Sequence, residues 1–163
     1  MTQSKLSIAI YPGTFDPITL GHENIAHRAT KIFNKIIVAV ANNTNKQCFF
    51  SFEERVNLVK SVFKDYENIQ VIGFTGLLMD FVELQNAQVV IRGLRAVSDF
   101  EYEFQLAGMN RKLYPNVETI FLTPSEQFTF LSSSLVREVA TLGGNTDQFV
   151  SSIVQEALKR TEH

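Results

Sequence analysis

Apolar and polar positions along the chain alternate in a pattern that predicts about five successive strand–helix units. The first strand covers residues 6–11, and Ile25, Ala26 and Ala29 mark the apolar face of the helix that follows. Near-continuous apolar runs, which suit strands covered on both faces, predict four more strands at 35–41, 69–74, 87–91 and 117–122. The pattern predicts a single α/β domain over residues 1–163, with five parallel strands and helices on both faces of the sheet.

Capping residues indicate where the intervening helices begin and end. Ser51 with Glu54, and Ser98 with Glu101, match the capping-box pattern at the starts of two helices, the second reaching about Leu113. Further helices are predicted over residues 76–85, from the serine triplet 132–134 to residue 139 with the glycine pair 143–144 as its stop, and after Asp147 as the N-cap of the last helix.

Polar clusters follow several of the predicted strands. They are residues 14–22 after the first strand, Lys46 after the second, residues 92–95 after the fourth and residues 123–134 after the fifth. In open parallel sheets, ligands bind beyond the carboxyl ends of the strands. The first cluster also leads into a helix, whose N-terminal N–H groups favour an anion. Together these positions predict a phosphate-rich ligand.

Charge and composition exclude several classes of protein. The formal net charge is −2, which argues against a nucleic-acid-binding protein. No apolar run reaches the ~18 residues of a membrane span, and the N-terminus lacks a signal-peptide pattern, so no membrane partner is expected. The only cysteine is Cys48, which favours a reduced, cytoplasmic protein, and no Cys/His cluster has zinc-site spacing.

The titratable candidates each have an ordinary structural alternative. His22 falls in the first turn of the first helix, and a lone histidine is more often structural than catalytic. Arg92 and Arg95 flank a glycine at a strand end, where a guanidinium matches the geometry of phosphate oxygens. The alternative for the two arginines is a surface ion pair with Asp99, Glu101 or Glu103.

Lys46 and the serine triplet are weaker signals on their own. Lys46 lies in an asparagine-rich loop, where a lysine is usually just solvated. Ser132, Ser133 and Ser134, with Arg137, offer hydroxyl and N–H donors at a helix start, although serines cap helices widely.

These residues suit transfer of a nucleotidyl group to a phosphate, a reaction that needs no general base. The sequence has no recognisable nucleophile–base pair, no Walker A loop and no Gly-x-Gly-x-x-Gly, which argues against the corresponding kinases and dinucleotide dehydrogenases. Cations, hydroxyls and helix starts suit in-line attack by an anionic phosphate on the α-phosphate of a nucleotide.

Seven motifs resemble those of bacterial phosphopantetheine adenylyltransferases, in the nucleotidyltransferase superfamily, across nearly the whole chain. They are Tyr-Pro-Gly-Thr-Phe-Asp-Pro at 11–17, the Thr-Leu-Gly-His box at 19–22, Glu-Glu-Arg at 53–55, Ile-Arg-Gly-Leu-Arg-Ala-Val at 91–97, Asp-Phe-Glu-Tyr-Glu at 99–103, Met-Asn-Arg at 109–111 and Ser-Ser-Ser-x-Val-Arg at 132–137. The blocks at 91–97 and 99–103 are the most specific to this family. The resemblance implies a Rossmann-like fold.

The resemblance also implies an activity and a set of site residues. ATP and 4′-phosphopantetheine would give dephospho-coenzyme A and pyrophosphate, with Mg²⁺, and catalysis would involve His22, Lys46 and Arg95. The positions that match the family's ligands of 4′-phosphopantetheine are Thr14, Lys46, Leu78 and Arg92. The positions that match its ATP ligands are Thr14, Phe15, His22, Gly93, Leu94, Arg95, Glu103, Phe128, Thr129, Phe130, Leu131, Ser132, Ser133 and Ser134.

Two alternatives remain at this stage. A sister adenylyltransferase that uses nicotinate mononucleotide would share Thr14 and His22 but lack the block from Arg92 to Glu103. A nucleotide-binding module without turnover would have lost His22 or Lys46, and both are present. The resemblance further implies a homo-hexamer.

Overall fold

The computed structural model describes residues 8–42 and 47–161, and its strands form one five-stranded sheet. Every strand pair is parallel, in the order β3-β2-β1-β4-β5, which confirms the predicted α/β fold. The strands are β1 (Ile8–Gly13), β2 (Lys35–Asn42), β3 (Ile69–Thr75), β4 (Val89–Gly93) and β5 (Glu118–Leu122). The helices are α1 (Leu20–Ala29), α2 (Phe52–Val62), α3 (Leu78–Leu84), α4 (Val97–Leu113), α5 (Ser133–Thr141) and α6 (Ser152–Arg160).

Helices cover both faces of the sheet, as predicted. On one face, α1, α2, α5 and α6 contribute Ile25, Val59, Val136 and Val154 to a buried apolar cluster. On the other face, α3 contributes Met79, Phe81 and Val82 to a second cluster, which includes Ile10 and Ile37 of the two central strands. Because β1 and β2 are buried from both sides, their sequences are almost continuously apolar.

The sheet order brings β1 and β4 side by side in its middle. From β1 the chain adds β2 and β3 on one side, and then crosses over to add β4 and β5 on the other side. The loops that follow β1 and β4 therefore lead in opposite directions and leave a crevice between them. The polar segments that follow these two strands therefore lie at the sheet edge where a ligand binds.

Besides the first strand, which ends at Gly13 and not at Tyr11, three predicted boundaries are wrong. Arg92 and Gly93 do not follow the fourth strand but end it, because their backbone pairs with Phe121 and Leu122 of β5. Ser98 is not the N-cap that the second predicted capping box requires, because the N-cap of α4 is Ala96 and the helix already begins at Val97. That earlier start places Ser98 inside the helix and away from the N-cap position.

The third wrong boundary is the cap of the last helix. Residues Phe149 and Val150 donate backbone hydrogen bonds to Thr146, and this turn delays α6 until Ser152, with Ser151 and not Asp147 at the N-cap. The stop of α5 is confirmed: it ends at Thr141, just before Gly143, which adopts a φ of 78°.

The helices carry no sign of a bilayer-spanning segment. None of those in the described ranges has both the length and the apolar composition that crossing a membrane requires.

Candidate active site

A cavity of about 840 Å³ opens at the carboxyl ends of the central strands, where the sequence predicted a ligand. It is bounded by the β1–α1 loop, the end of β4 and the start of α5. The predicted site residues that line it are Thr14, Phe15, His22, Leu78, Arg92, Gly93, Arg95, Phe128, Leu131, Ser132, Ser133 and Ser134. The cavity therefore brings together predicted residues from four separate segments of the chain.

Four other predicted site residues do not line this cavity. The backbone N–H of Leu94 donates to the carbonyl of Leu122 and so extends the pairing of β4 with β5. The Thr129 hydroxyl donates to the carbonyl of Glu126, and Phe130 is an exposed ring that packs edge-on against Phe149. The fourth is Glu103, which pairs with Arg92. Lys46 lies outside the described residues.

The start of α1 is held by a reciprocal capping box between Thr19 and His22. The backbone N–H of Thr19 donates to Nδ1 of His22 at 3.0 Å, and the backbone N–H of His22 donates to the Thr19 hydroxyl at 3.4 Å. Histidine thus takes the position that glutamate usually occupies in this motif. The cap fixes both the first residue of α1 and the orientation of the imidazole ring.

The cap also fixes the protonation state of His22. Because Nδ1 accepts a hydrogen bond from a backbone N–H, the ring proton of the neutral imidazole is on Nε2. Burial, with a smaller effect from the charge of Arg95, lowers the pKa of His22 to about 4. Near pH 7, His22 is therefore a neutral hydrogen-bond donor in the cavity wall and not a cation.

Arg92 forms a bidentate ion pair with Glu103 of α4. Its Nε and Nη2 atoms each donate to a carboxylate oxygen at 2.7 Å, and both side chains are mostly buried. Burial alone would lower the pKa of this guanidinium, but the hydrogen bonds and the charge of Glu103 outweigh burial and raise it. Arg92 is therefore a fixed cation at the end of β4.

Arg95 makes the second of the alternative ion pairs, and it also reaches the other side of the cavity. Its Nε lies 3.5 Å from Asp99, while its Nη1 donates to the carbonyl of Leu131 at 3.1 Å. Arg95 therefore links the start of α4 to the segment that precedes α5. Arg92 and Arg95 therefore each form a structural ion pair and also line the cavity.

The serine triplet opens α5 and fastens this helix to the β1–α1 loop. Ser132 is the N-cap and accepts from the backbone N–H of Leu135, while the Ser133 hydroxyl donates to the carbonyl of Pro17 at 2.7 Å. Arg137, one turn later, donates to the backbone carbonyl of Asp16 at 2.6 Å. The N-termini of α1 and α5 thus face one cavity, and both favour an anion there.

Sequence reasoning missed Tyr11 as a site residue, although the residue lies in a quoted motif. Its ring is buried, and it lines the cavity beside the two arginines. Burial raises the pKa of the phenol, and the charges of Arg92 and Arg95 oppose this only in part, so the hydroxyl stays protonated. Because Tyr11 continues the apolar run of β1, the sequence gives no signal that distinguishes it from a residue of the core.

Metal-binding side chains do not gather in the part of the chain that the structure describes. There, no group of three or more His, Cys, Asp or Glu side chains is placed to hold an ion. Of the described residues that line the cavity, only Asp16 carries a carboxylate, and both of its oxygens already accept backbone hydrogen bonds.

Solved structures share this fold. A nicotinic acid mononucleotide adenylyltransferase from Plasmodium falciparum superposes with a TM-score of 0.68 at 17% identity, over 96% of each chain. A bifunctional NMN adenylyltransferase/ADP ribose pyrophosphatase from Francisella tularensis gives a TM-score of 0.73 at 15% identity, over 95% of this chain and 49% of that one. At such low identity the likeness extends to the fold alone.

Sequence relatives are far closer. Residues 10–139 match the cytidylyltransferase-like family. A phosphopantetheine adenylyltransferase from Nitrosomonas eutropha is 61% identical over 151 residues, which cover 93% of this chain and 92% of that protein. Another from Methylobacillus flagellatus is 58% identical over 158 residues, which cover 97% of each chain. This chain belongs to the phosphopantetheine adenylyltransferase family.

Proposed function

We propose that this protein transfers the adenylyl group of ATP to the phosphate of 4′-phosphopantetheine, which releases pyrophosphate and gives dephospho-coenzyme A. The observation that carries the choice of acceptor is the identity of 54–61% to relatives named for that reaction. Solved structures named for adenylyl transfer to nicotinic acid mononucleotide or nicotinate nucleotide are only 16–19% identical, so they share the fold and give no support to nicotinate mononucleotide as the acceptor. Retention of His22 and of a cation-lined cavity argues against a binding module without turnover.

Pyrophosphate release with each acceptor tests this proposal. The purified protein, ATP and Mg²⁺ should release pyrophosphate with 4′-phosphopantetheine and not with nicotinate mononucleotide. Turnover of nicotinate mononucleotide alone would show that the protein is the sister adenylyltransferase. Binding of ATP without release of pyrophosphate from either acceptor would identify a binding module.

The cavity is suited to stabilise negative charge. In this reaction an oxygen of the acceptor phosphate attacks the α-phosphorus of ATP, and the bond to the departing pyrophosphate breaks on the opposite side. The attacking oxygen is already anionic, so no base has to remove a proton. What the protein has to supply is alignment and charge stabilisation, and Arg92, Arg95 and two helix N-termini supply both.

His22 acts in this scheme as a neutral donor to an α-phosphate oxygen. Its Nε2 carries the proton because the Thr19 N–H occupies Nδ1. Its pKa of about 4 leaves the ring neutral near pH 7, so that it adds no charge that would repel Arg95. A donor held in place before the reaction costs no reorganisation when charge gathers on the α-phosphate.

Mg²⁺, when bound, would neutralise charge on the triphosphate and orient it. The ion usually keeps several waters and takes ligands from substrate phosphates, so it needs few protein groups. This suits a cavity in which Asp16 is the only carboxylate among the described lining residues and is already hydrogen-bonded. The protein groups that would complement ATP with its metal are then Arg95, His22 and the start of α5.

Arg92 would bind the acceptor phosphate, so substitution of Arg92 should affect binding of the acceptor and of ATP differently. Arg92→Ala should weaken 4′-phosphopantetheine by about 1.5–3 kcal/mol, the value of a hydrogen bond to a charged group, while ATP binding is largely kept. Calorimetric titration of both ligands measures this. Arg111→Ala is the matched control, because it breaks an exposed Arg–Glu pair with Glu118. Equal losses for ATP and the acceptor would contradict the assignment.

Substitution of His22 should affect turnover more than binding. Loss of one donor to the developing charge typically lowers kcat by about a hundred- to a thousand-fold, and we expect a loss of this size for His22→Ala. The KM for ATP should change only a few-fold, and His22→Asn, which keeps a donor, should recover part of kcat. A collapse of ATP binding with kcat retained would make His22 a ground-state ligand.

We also propose that the enzyme works as a homo-hexamer in the reducing cytoplasm. The support for assembly is family likeness together with α4, on which Tyr102, Phe104 and Met109 are 66%, 62% and 67% exposed. Such a set of large apolar side chains favours burial against another copy. Light scattering at micromolar protein should give six times the chain mass, and Phe104→Glu should reduce it. A monomeric wild-type protein would defeat this proposal.

A further inference from the structure

Arg55 is a buried cation that donates only to main-chain carbonyls. It lies in the first turns of α2 and is 2% exposed. Its Nη1 donates to the carbonyls of Thr14 and Ala41, each at 2.8 Å, and its Nε donates to that of Phe50 at 3.3 Å. Among the described residues, no carboxylate pairs with it. Burial of an unpaired charge is costly, and here three hydrogen bonds to carbonyls offset part of that cost.

The three carbonyls belong to three segments that meet at the cavity. Thr14 is in the β1–α1 loop, and Ala41 lies at the end of β2; both line the cavity. Phe50 stands just before the N-cap of α2, at the far end of the connection from β2. One guanidinium therefore joins the point where the chain leaves β2, the point where it enters α2, and the loop that holds the predicted phosphate ligands.

Asp16 fastens the same connection from the opposite side. It is 4% exposed, and its carboxylate accepts from the backbone N–H groups of Phe49 and Phe50 at 2.7 and 2.9 Å. Arg55 thus binds carbonyls and Asp16 binds N–H groups of adjoining peptides. Lys46 lies in sequence between Ala41 and Phe49, and Asn42, Gln47 and Cys48 of this connection line the cavity.

We propose that Arg55 is a positioning residue for the acceptor half of the reaction. By fixing both ends of the β2–α2 connection against the β1–α1 loop, it sets the cavity rim that Asn42, Gln47 and Cys48 form. This inference rests on the proposed function, because it takes the β2–α2 connection to serve 4′-phosphopantetheine. ATP, in contrast, would meet mainly α1, the end of β4 and the start of α5. Of the positions that match its ligands, Arg55 hydrogen-bonds only to Thr14, which also matches an acceptor ligand, and it does so through the main-chain carbonyl.

The side chain must be arginine because the three acceptors lie in different directions. A planar guanidinium presents five N–H donors in a fixed fork, and here the fork spans both its Nε and Nη1 positions. An ammonium on a flexible stem is a point donor that would satisfy some of these carbonyls and release the rest. Arg55→Lys therefore keeps the buried charge and removes the geometry.

Steady-state kinetics of Arg55→Lys test the proposal. We expect kcat/KM for 4′-phosphopantetheine to fall about tenfold, which corresponds to loss of one charge-assisted hydrogen bond, with KM for ATP changed less than about twofold. Amide hydrogen exchange should accelerate at residues 47–50 and stay unchanged in α1. Should the lysine variant fail to fold, Arg55→Gln, a neutral donor of similar length, is measured in the same way.

Arg28→Lys is the matched control. Arg28 also donates to a main-chain carbonyl, that of Thr123 just after β5, and neither residue is among those that line the cavity. We expect its kcat/KM for 4′-phosphopantetheine to stay within about twofold of wild type. Equal rises in both KM values for Arg55→Lys, or an equal acceptor defect in Arg28→Lys, would show a general structural role and overturn the inference. Failure of the wild-type protein to use 4′-phosphopantetheine at all would instead refute the proposed function.

Discussion

The reciprocal hydrogen bonds between Thr19 and His22 are the interaction on which the proposed chemistry of this protein depends. They start α1 at one defined residue, which aims the N-terminus of that helix at the cavity. They also occupy Nδ1 of His22, which leaves Nε2–H as the only ring donor. A single local motif therefore provides an anion-binding helix end and a neutral donor with a fixed orientation.

Charged side chains around the cavity are held by the protein before any substrate arrives. Arg92 forms an ion pair with Glu103, and Asp16 accepts hydrogen bonds from two backbone N–H groups. Arg55 donates hydrogen bonds to three backbone carbonyls. Each arrangement restricts a side chain that would otherwise be mobile, so little reorganisation is left for the reaction itself. This is the behaviour expected of a site that stabilises charge and moves no proton.

The sequence was sufficient to place the five strands along the chain but not to identify the partners of the charged side chains. Five apolar runs and the cap at Ser51 predicted real elements, because periodicity and capping are local properties. The end of β4 was misplaced because backbone pairing with β5 overrides the change of polarity at Arg92. The partners of Arg55 could not be predicted from local patterns, since the carbonyls that accept its hydrogen bonds lie 5, 14 and 41 residues away in the sequence.

Histidine-selective NMR of the unliganded protein tests the neutral-donor role of His22 most directly. Long-range correlations from the imidazole nitrogens, assigned with His22→Asn, report both the tautomer and its titration. We expect the Nε2–H tautomer at neutral pH and a midpoint at about 4, because burial and Arg95 disfavour the charged ring. An Nδ1–H tautomer, or a midpoint near the ordinary value of ~6.5, would contradict the proposed mechanism.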